Sequence, residues 1–310
     1  FKGPRPYVDA QLDFSVLDLR DWLGDDKAPE QVLDDQRVIP NYPLPLASLG
    51  VIDGTLIVTA REVHMESILF TNALLRAELA DGALRVPQLE LSAPLGRFDG
   101  TLTVLPVELE ADVADVHFTL VGEDVQLNLT GESAEDLART PTYDLNIDIA
   151  GRGNTTRELA ETLNGHVGLQ SEGGRIRNQA FNILFGEFSL ELIARLNPFS
   201  NKDPYSEITC VVVAFDVTQG VFETSPNVVI QSSKINLVSN GTIDLAEENI
   251  SFNFNTRPRR RLSISAVELI NPYIRALSRL PLTEKDFSTH SCLRCLPYRL
   301  LSHPPPNYLM

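Results

Sequence analysis

The stretch Tyr143-Asp144-Leu145-Asn146-Ile147-Asp148-Ile149 decides the fold class, because its side chains alternate between apolar and polar. Successive side chains of a β-strand point to opposite faces of a sheet, so this alternation predicts a strand with one apolar and one polar face. The same pattern returns along most of the chain. Clear examples are the segments 116–120, 125–129, 211–217, 228–230, 235–237, 243–245 and 250–255. The sequence therefore predicts a mainly β protein whose sheet is largely antiparallel.

Glycine-containing pairs separate many of these segments. Asp81-Gly82, Asp99-Gly100, Gln219-Gly220 and Asn240-Gly241 are typical of tight turns, and we expect each of them to connect two strands. Turns that are this short join neighbouring antiparallel strands.

An internal repeat accompanies this pattern. Leu49–Val58 matches Leu95–Val104 at seven of ten positions, 46 residues further on. Two copies favour a repeated strand-turn-strand unit that stacks on its neighbours. The alternative is a coincidence between two Asp-Gly turns, because that dipeptide is a common hairpin signal.

Two segments carry helical signals. Thr155 is followed three residues later by Glu158, which is the spacing of a capping box, and Asn164-Gly165 supplies a stop, so a helix is predicted over 155–163. Apolar residues recur at helical spacing from Gln179 to Asn197, before Pro198, and predict a second helix. The simplest role for its apolar side is packing on the sheet.

Charge and composition exclude several classes of function. The 310 residues include 26 Lys and Arg against 42 Asp and Glu, a net charge of −16, which argues against a nucleic-acid partner. The five histidines do not occur at metal-ligand spacing, and phosphate-binding loops and nucleophile-elbow motifs are missing from the sequence. We therefore predict no catalytic residues, no metal and no cofactor, and we expect that the protein is not an enzyme.

Three regions are distinguished along the chain. Residues 1–150 contain the repeat, residues 151–275 combine strands with the predicted helices, and residues 276–310 lack glycine and lose the alternation. We expect the last region to be an atypical tail that is disordered or non-native. The Cys292-Leu293-Arg294-Cys295 spacing within it has no second half-site, so it does not indicate a zinc or redox site.

The region from Arg152 to Arg260 resembles the C-terminal region of the AsmA family, which includes TamB-like bacterial envelope proteins. The matching residues are Leu159–Gly165, Gly174–Asn178, Pro198-Phe199, Cys210 with Phe215-Asp216-Val217, Gly220-Val221 and Gly241–Leu245. Upstream, Leu12–Leu19 and the two Gly-x-x-Asp-Gly units are similar to repeats of that family. The region after Arg275 departs from the family pattern.

The resemblance implies a periplasmic, strand-rich body that an N-terminal helix, not contained in this chain, anchors in the inner membrane. It further implies a curled sheet that forms an open hydrophobic groove for lipid transport between inner and outer membrane. We expect phospholipids and membrane as partners, and outer-membrane assembly factors as further candidates. A sheet with one aliphatic face must cover that face with protein or with another apolar material, and acyl chains are such a material.

These considerations give a set of candidate groove-lining, lipid-binding residues. They are Phe118, Val125, Leu127, Leu129, Leu145, Ile147, Ile149, Val213, Phe215, Ile243, Phe252 and Phe254. The first functional hypothesis is a lipid-handling envelope protein that binds phospholipid acyl chains and supports outer-membrane assembly. The alternative is an assembly scaffold that engages outer-membrane proteins by strand addition.

Overall fold

The structure is a computed structural model of the chain. It describes residues 5–20, 37–65, 68–93, 95–107, 113–126, 139–171, 173–177, 205–225, 228–233 and 235–258. The predicted helix over 179–197, the tail over 276–310 and the candidates Leu127 and Leu129 lie outside these residues.

The described residues form fourteen strands and two short helices. The strands are β1 (Tyr7–Asp18), β2 (Asp53–Met65), β3 (Ile68–Ala80), β4 (Ala83–Ser92), β5 (Arg97–Pro106), β6 (Ala114–Val125), β7 (Tyr143–Gly153), β8 (Asn164–Ser171), β9 (Gly174–Arg177), β10 (Tyr205–Thr218), β11 (Val221–Thr224), β12 (Val228–Ser232), β13 (Ile235–Asp244) and β14 (Asn249–Pro258). The helices are α1 (Leu46–Leu49) and α2 (Thr156–Glu161).

All fourteen strands belong to one curled, mixed sheet. From β2 to β8 each strand pairs antiparallel with the next one along the chain. Strand β10 then pairs with β8, β9, β11 and β12, and β13 joins β11 and β12 to β14. Only the β1–β2 pair is parallel among these pairings. The prediction of a mainly β, largely antiparallel fold is confirmed.

The glycine pairs divide into two groups. Asp81-Gly82 and Gln219-Gly220 lie in turns, as predicted. The prediction is wrong for Asp99-Gly100 and Asn240-Gly241, which lie inside β5 and β13. Close backbone approach explains the glycine in β13, since a Cβ on Gly241 would stand 2.1 Å from the carbonyl oxygen of Ser251 on the neighbouring strand.

The first predicted helix is present but shorter than expected. Helix α2 begins after Thr155, whose Oγ1 accepts a hydrogen bond from the Glu158 amide at 3.2 Å. In return, the Glu158 carboxylate accepts a hydrogen bond from the Asn154 amide at 2.9 Å. The first bond satisfies one of the amides that a helix N-terminus leaves without a helical partner, and the second holds the residue before the N-cap.

The sheet bends toward its apolar face. Phe70 on β3 and Phe98 on β5 have ring centroids 5.9 Å apart, although β4 lies between their strands. Phe215 on β10 and Phe252 on β14 have ring centroids 6.4 Å apart, although β11 and β13 lie between their strands. Neighbouring strands are about 4.8 Å apart. Such ring contacts therefore indicate a concave apolar face.

Two buried clusters are present, one of Ile208, Val211, Ile230 and Leu237, and a larger one at the end of the concave face where β2 meets β3, here called the buried core. Its buried members are Ala60, Val63, Phe70, Ala93, Phe98 and Val125. Bulges let consecutive strands contribute to it. The backbone of Asn72 on β3 has a φ of 58°, and the register between β3 and β4 shifts there. Asp124 on β6 has a φ of 50°, and the register between β6 and β7 shifts beside it. The second shift brings Val125 onto the same face as Leu120.

Candidate functional site

The central feature of the concave face is a row of apolar residues that crosses nine neighbouring strands, β1 to β8 and then β10. Each member lies directly opposite the next in the strand register. The members, here called the central row, are Leu12, Val58, Leu75, Leu89, Gly100, Leu120, Ile147, Val167 and Phe215. Eight strand spacings of about 4.8 Å make this row roughly 38 Å long when measured along the sheet.

A parallel row flanks the central row on each side. The row toward the buried core contains Phe14, Ala60, Ala73, Leu91, Phe98, Gly122, Leu145, Leu169 and Val213. The row on the other side contains Val86, Leu102, Phe118, Ile149, Gly165, Val217, Phe222, Ile243 and Ile250. Together the three rows form a continuous apolar ribbon several side chains wide.

The ten described candidates from the sequence all lie on this concave face. Ile147 and Phe215 belong to the central row, and the flanking rows contain Phe118, Leu145, Ile149, Val213 and Ile243. Val125 is buried in the core beside Leu120 and Leu145. Phe252 packs on Phe215, and Phe254 stacks on Phe252 with a centroid separation of 5.9 Å.

The opposite, convex face is mostly polar. One row of paired residues on this face lies, along each strand, between the central row and the row that contains Ile149. Its members are Thr101, Thr119, Asp148, His166, Asp216, Glu223, Thr242 and Ser251. Side chains on this face bond to one another. The Asp148 carboxylate lies 2.7 Å from Nε2 of His117, and the Thr101 and Thr119 hydroxyls are 2.7 Å apart. The sheet therefore separates an apolar face from a water-compatible one.

The central row is accessible rather than sealed. Its members on β2 to β8, except Gly100, have half-buried side chains, and Leu12 on β1 is 44 % exposed. Phe14 beside Leu12 is 37 % exposed, and Phe254 at the far end of the face is 39 % exposed. An aliphatic face that stays partly exposed to water over this length is available to an apolar ligand.

One side of the concave face is covered by local structure. Helix α2 packs there, since a Cβ on Gly151, two residues beyond Ile149, would stand 2.9 Å from Cδ1 of Leu159. The segment 37–50 runs beside this helix. Its Leu44 amide donates to the Asn154 carbonyl at 2.7 Å, and Pro43 forms a bridge with Thr155.

Glu248, in the β13–β14 turn, holds the start of the same segment. Its carboxylate accepts hydrogen bonds from the amides of Val38 and Ile39 at 2.6 and 2.9 Å. The Ile39 bond, followed by the Val38 bond, lowers the pKa of this carboxyl because both favour its charged form. Segment 37–50 is therefore tied both to the last hairpin of the sheet and to the end of β7.

Of the central row, the sequence candidates include only Ile147 and Phe215. They missed Leu120 and Val167 and all of its members on β1 to β4. Leu56-Ile57-Val58 and Ala73-Leu74-Leu75 are unbroken apolar runs, because Ile57 and Leu74 are apolar although they point to the convex face. Alternation was therefore hidden in β2 and β3. The signal was clearer in Gln11–Phe14 and in Leu89-Glu90-Leu91, where period-two alternation is present.

The described part of the chain offers no cluster of His, Cys, Asp or Glu that could hold a metal ion. Among its helices, none is long and apolar enough to cross a membrane.

Comparison of the chain with protein-family models, with curated proteins and with solved structures gave no match.

Proposed function

We propose that the protein is a non-enzymatic, lipid-handling protein of the bacterial cell envelope that binds and conducts phospholipid acyl chains along its concave face. The central row is the observation that carries this proposal. It provides a continuous apolar track, half-buried along most of its length, with a mostly polar surface on the reverse of the sheet. The placement in the periplasm, the inner-membrane anchor and the link to outer-membrane assembly rest on the resemblance to the AsmA family.

The dimensions of the row suit acyl chains. One leaflet contributes about half of the roughly 30 Å hydrocarbon core of a bilayer. The row, at roughly 38 Å, therefore has room for about two extended chains end to end along the sheet. Each methylene removed from water contributes about 0.8 kcal/mol, so partial engagement of a chain already amounts to several kcal/mol.

The uniform lining also suits movement along the sheet. All members of the central row other than Gly100 are Leu, Val, Ile or Phe, so the contact energy changes little from one strand to the next. No charged side chain from the described residues belongs to the row. An acyl chain bound to such a surface meets no position of much stronger binding energy than the next. This favours its movement along the sheet over tight binding at one place.

Lipid retention tests the proposal. The chain is purified without lipid-like detergent, extracted with organic solvent, and the extract is analysed by mass spectrometry. Phospholipid at a reproducible ratio to protein supports the proposal. Lipid-free protein that captures an unfolded porin peptide instead overturns it in favour of an assembly scaffold.

A variant pair tests whether the retained lipid occupies the concave face. Leu74 and Leu75 are adjacent, both half-buried, and point to opposite faces of β3. Leu75→Asp places a charge in the central row and should abolish retention, whereas Leu74→Asp places it on the convex face and should preserve it. Equal retention by both variants, each folded by circular dichroism, would exclude the concave face as the binding surface.

A further inference from the structure

Among the described residues, β1 is a long strand at the edge of the sheet. Within the described residues its only strand neighbour is β2, with which it pairs in parallel from Tyr7 to Asp18. Nearly all of its residues are exposed, and the exposed apolar ones include Val8 at 46 %, Leu12 at 44 % and Val16 at 50 %. Such an edge presents backbone donors and acceptors, together with apolar side chains, to an incoming strand.

Several of the usual protections of an edge strand are missing from β1, although Asp9, Asp13 and Asp18 give it charge. The sequence Tyr7–Asp18 contains neither proline nor lysine, and its register with β2 shows no bulge. Soluble proteins normally use such features to prevent edge-to-edge pairing. An edge of twelve residues without proline, lysine or a bulge is therefore suited to pairing with a strand whose charges complement its own.

The charges on β1 restrict the chemistry of that strand. Asp9 and Asp13 lie on the convex face, four residues apart, and their carboxylates accept hydrogen bonds from the hydroxyls of Thr55 and Thr59 on β2. No salt bridge to either carboxylate occurs within the described part of the chain. Opposite charges on directly facing residues of paired strands stabilise the pair, and like charges destabilise it.

We propose that the outer edge of β1 binds an extended segment of a partner polypeptide in which apolar residues alternate with basic ones, with two Lys or Arg four residues apart. The basic residues would face Asp9 and Asp13, and the apolar residues would continue the ribbon beyond Leu12 and Phe14. This interaction surface is separate from lipid binding on the concave face, and the proposal does not depend on it.

Two described strands at the edges of the sheet, β1 and β14 of a second copy, fit this edge less well. Strand β1 itself has no basic residue, and β14 has only Arg257. Neither strand supplies two cations four residues apart. A foreign segment with that pattern satisfies both carboxylates at once, which is why we favour it.

Two synthetic 12-residue peptides test the proposal on the full chain. Both alternate valine with polar residues, and they differ only in having Lys or Glu at two polar positions four apart. The Lys peptide should bind more tightly by fluorescence anisotropy, by roughly 5-fold or more for two favourable facing pairs. In Asp9→Lys/Asp13→Lys protein the preference should reverse. In the milder Asp9→Asn/Asp13→Asn protein it should disappear.

N-methylation of the peptide backbone identifies strand pairing. Only every second amide of an added strand faces the edge, so methyl groups on one alternating set should abolish binding while those on the other set leave it unchanged. Hydrogen exchange of the β1 amides should slow when the peptide binds. Equal loss from both sets, no charge preference, or protection elsewhere than β1 would overturn the proposal. Dimerisation through β1 in place of peptide binding would assign the edge to a second copy and would also overturn it.

Discussion

The substitution Ile147→Asp tests the acyl-chain track at its centre. Ile147 lies opposite Leu120 on one side and Val167 on the other, so a carboxylate there interrupts the track between β6 and β8. If about three methylenes of a bound chain lose their apolar contact, at about 0.8 kcal/mol each, the loss is about 2.4 kcal/mol. At 1.4 kcal/mol per factor of ten, this corresponds to a roughly 50-fold weaker affinity.

The assay is equilibrium binding of a fluorescent fatty acid, measured for the wild type and the variant at one salt concentration. Asn146→Asp is the matched control, because Asn146 is the half-buried neighbour of Ile147 on the convex face. The control should bind within about 2-fold of wild type, which is less than 0.5 kcal/mol. An Ile147→Asp protein that is folded and binds as tightly as the control would refute the reasoning.

Three further predictions concern the structure that supports this face. Phe98→Ala, which empties a position that is 8 % exposed and packed on Phe70, should destabilise the fold by about 3–5 kcal/mol in chemical unfolding, whereas Phe14→Ala at a 37 % exposed position should cost much less. Gly241→Ala should lower Tm clearly, because the new Cβ would clash with the Ser251 carbonyl oxygen. Gly50→Ala is the control and should leave Tm nearly unchanged, since the nearest atom to its new Cβ is 3.7 Å away. Equal Tm values for the two variants would contradict this prediction. The pKa of the Glu248 carboxyl is lower in the folded protein than in the unfolded chain. The stabilisation that this carboxylate gives to the fold is therefore present above the unfolded pKa and is lost as pH falls through the folded pKa. Hydrogen exchange at Val38 and Ile39 should therefore accelerate on acidification, and Glu248→Gln should accelerate it at neutral pH while Glu247→Gln does not.

The sequence was sufficient to predict the strands with strict alternation and the face to which their side chains point. Leu145, Ile147 and Ile149 share one face because a strand has period two, and the structure places them together as that period requires. The capping pair of Thr155 and Glu158 was equally readable, since its bonds are local.

Features that depend on distant parts of the chain could not be predicted. The parallel pairing of β1 with β2 requires the long connection over residues 19–52, whose path no local pattern encodes. Gly100 and Gly241 were interpreted as turn residues because the dipeptides Asp-Gly and Asn-Gly favour turns, and only the neighbouring strand explains the glycine at Gly241. The bulge at Asp124 likewise moves Val125 onto the core face against simple alternation.

Site-specific photocrosslinking in living bacteria tests the lipid track most directly. A photoreactive amino acid is placed in turn at Val58, Leu120 and Val167 on the central row, and at the convex-face neighbours Thr59, Thr119 and His166. Lipid adducts on the three row positions, with none on the three neighbours, are the predicted result. Adducts of equal yield on both faces, or row positions that crosslink only to polypeptide, would contradict the account.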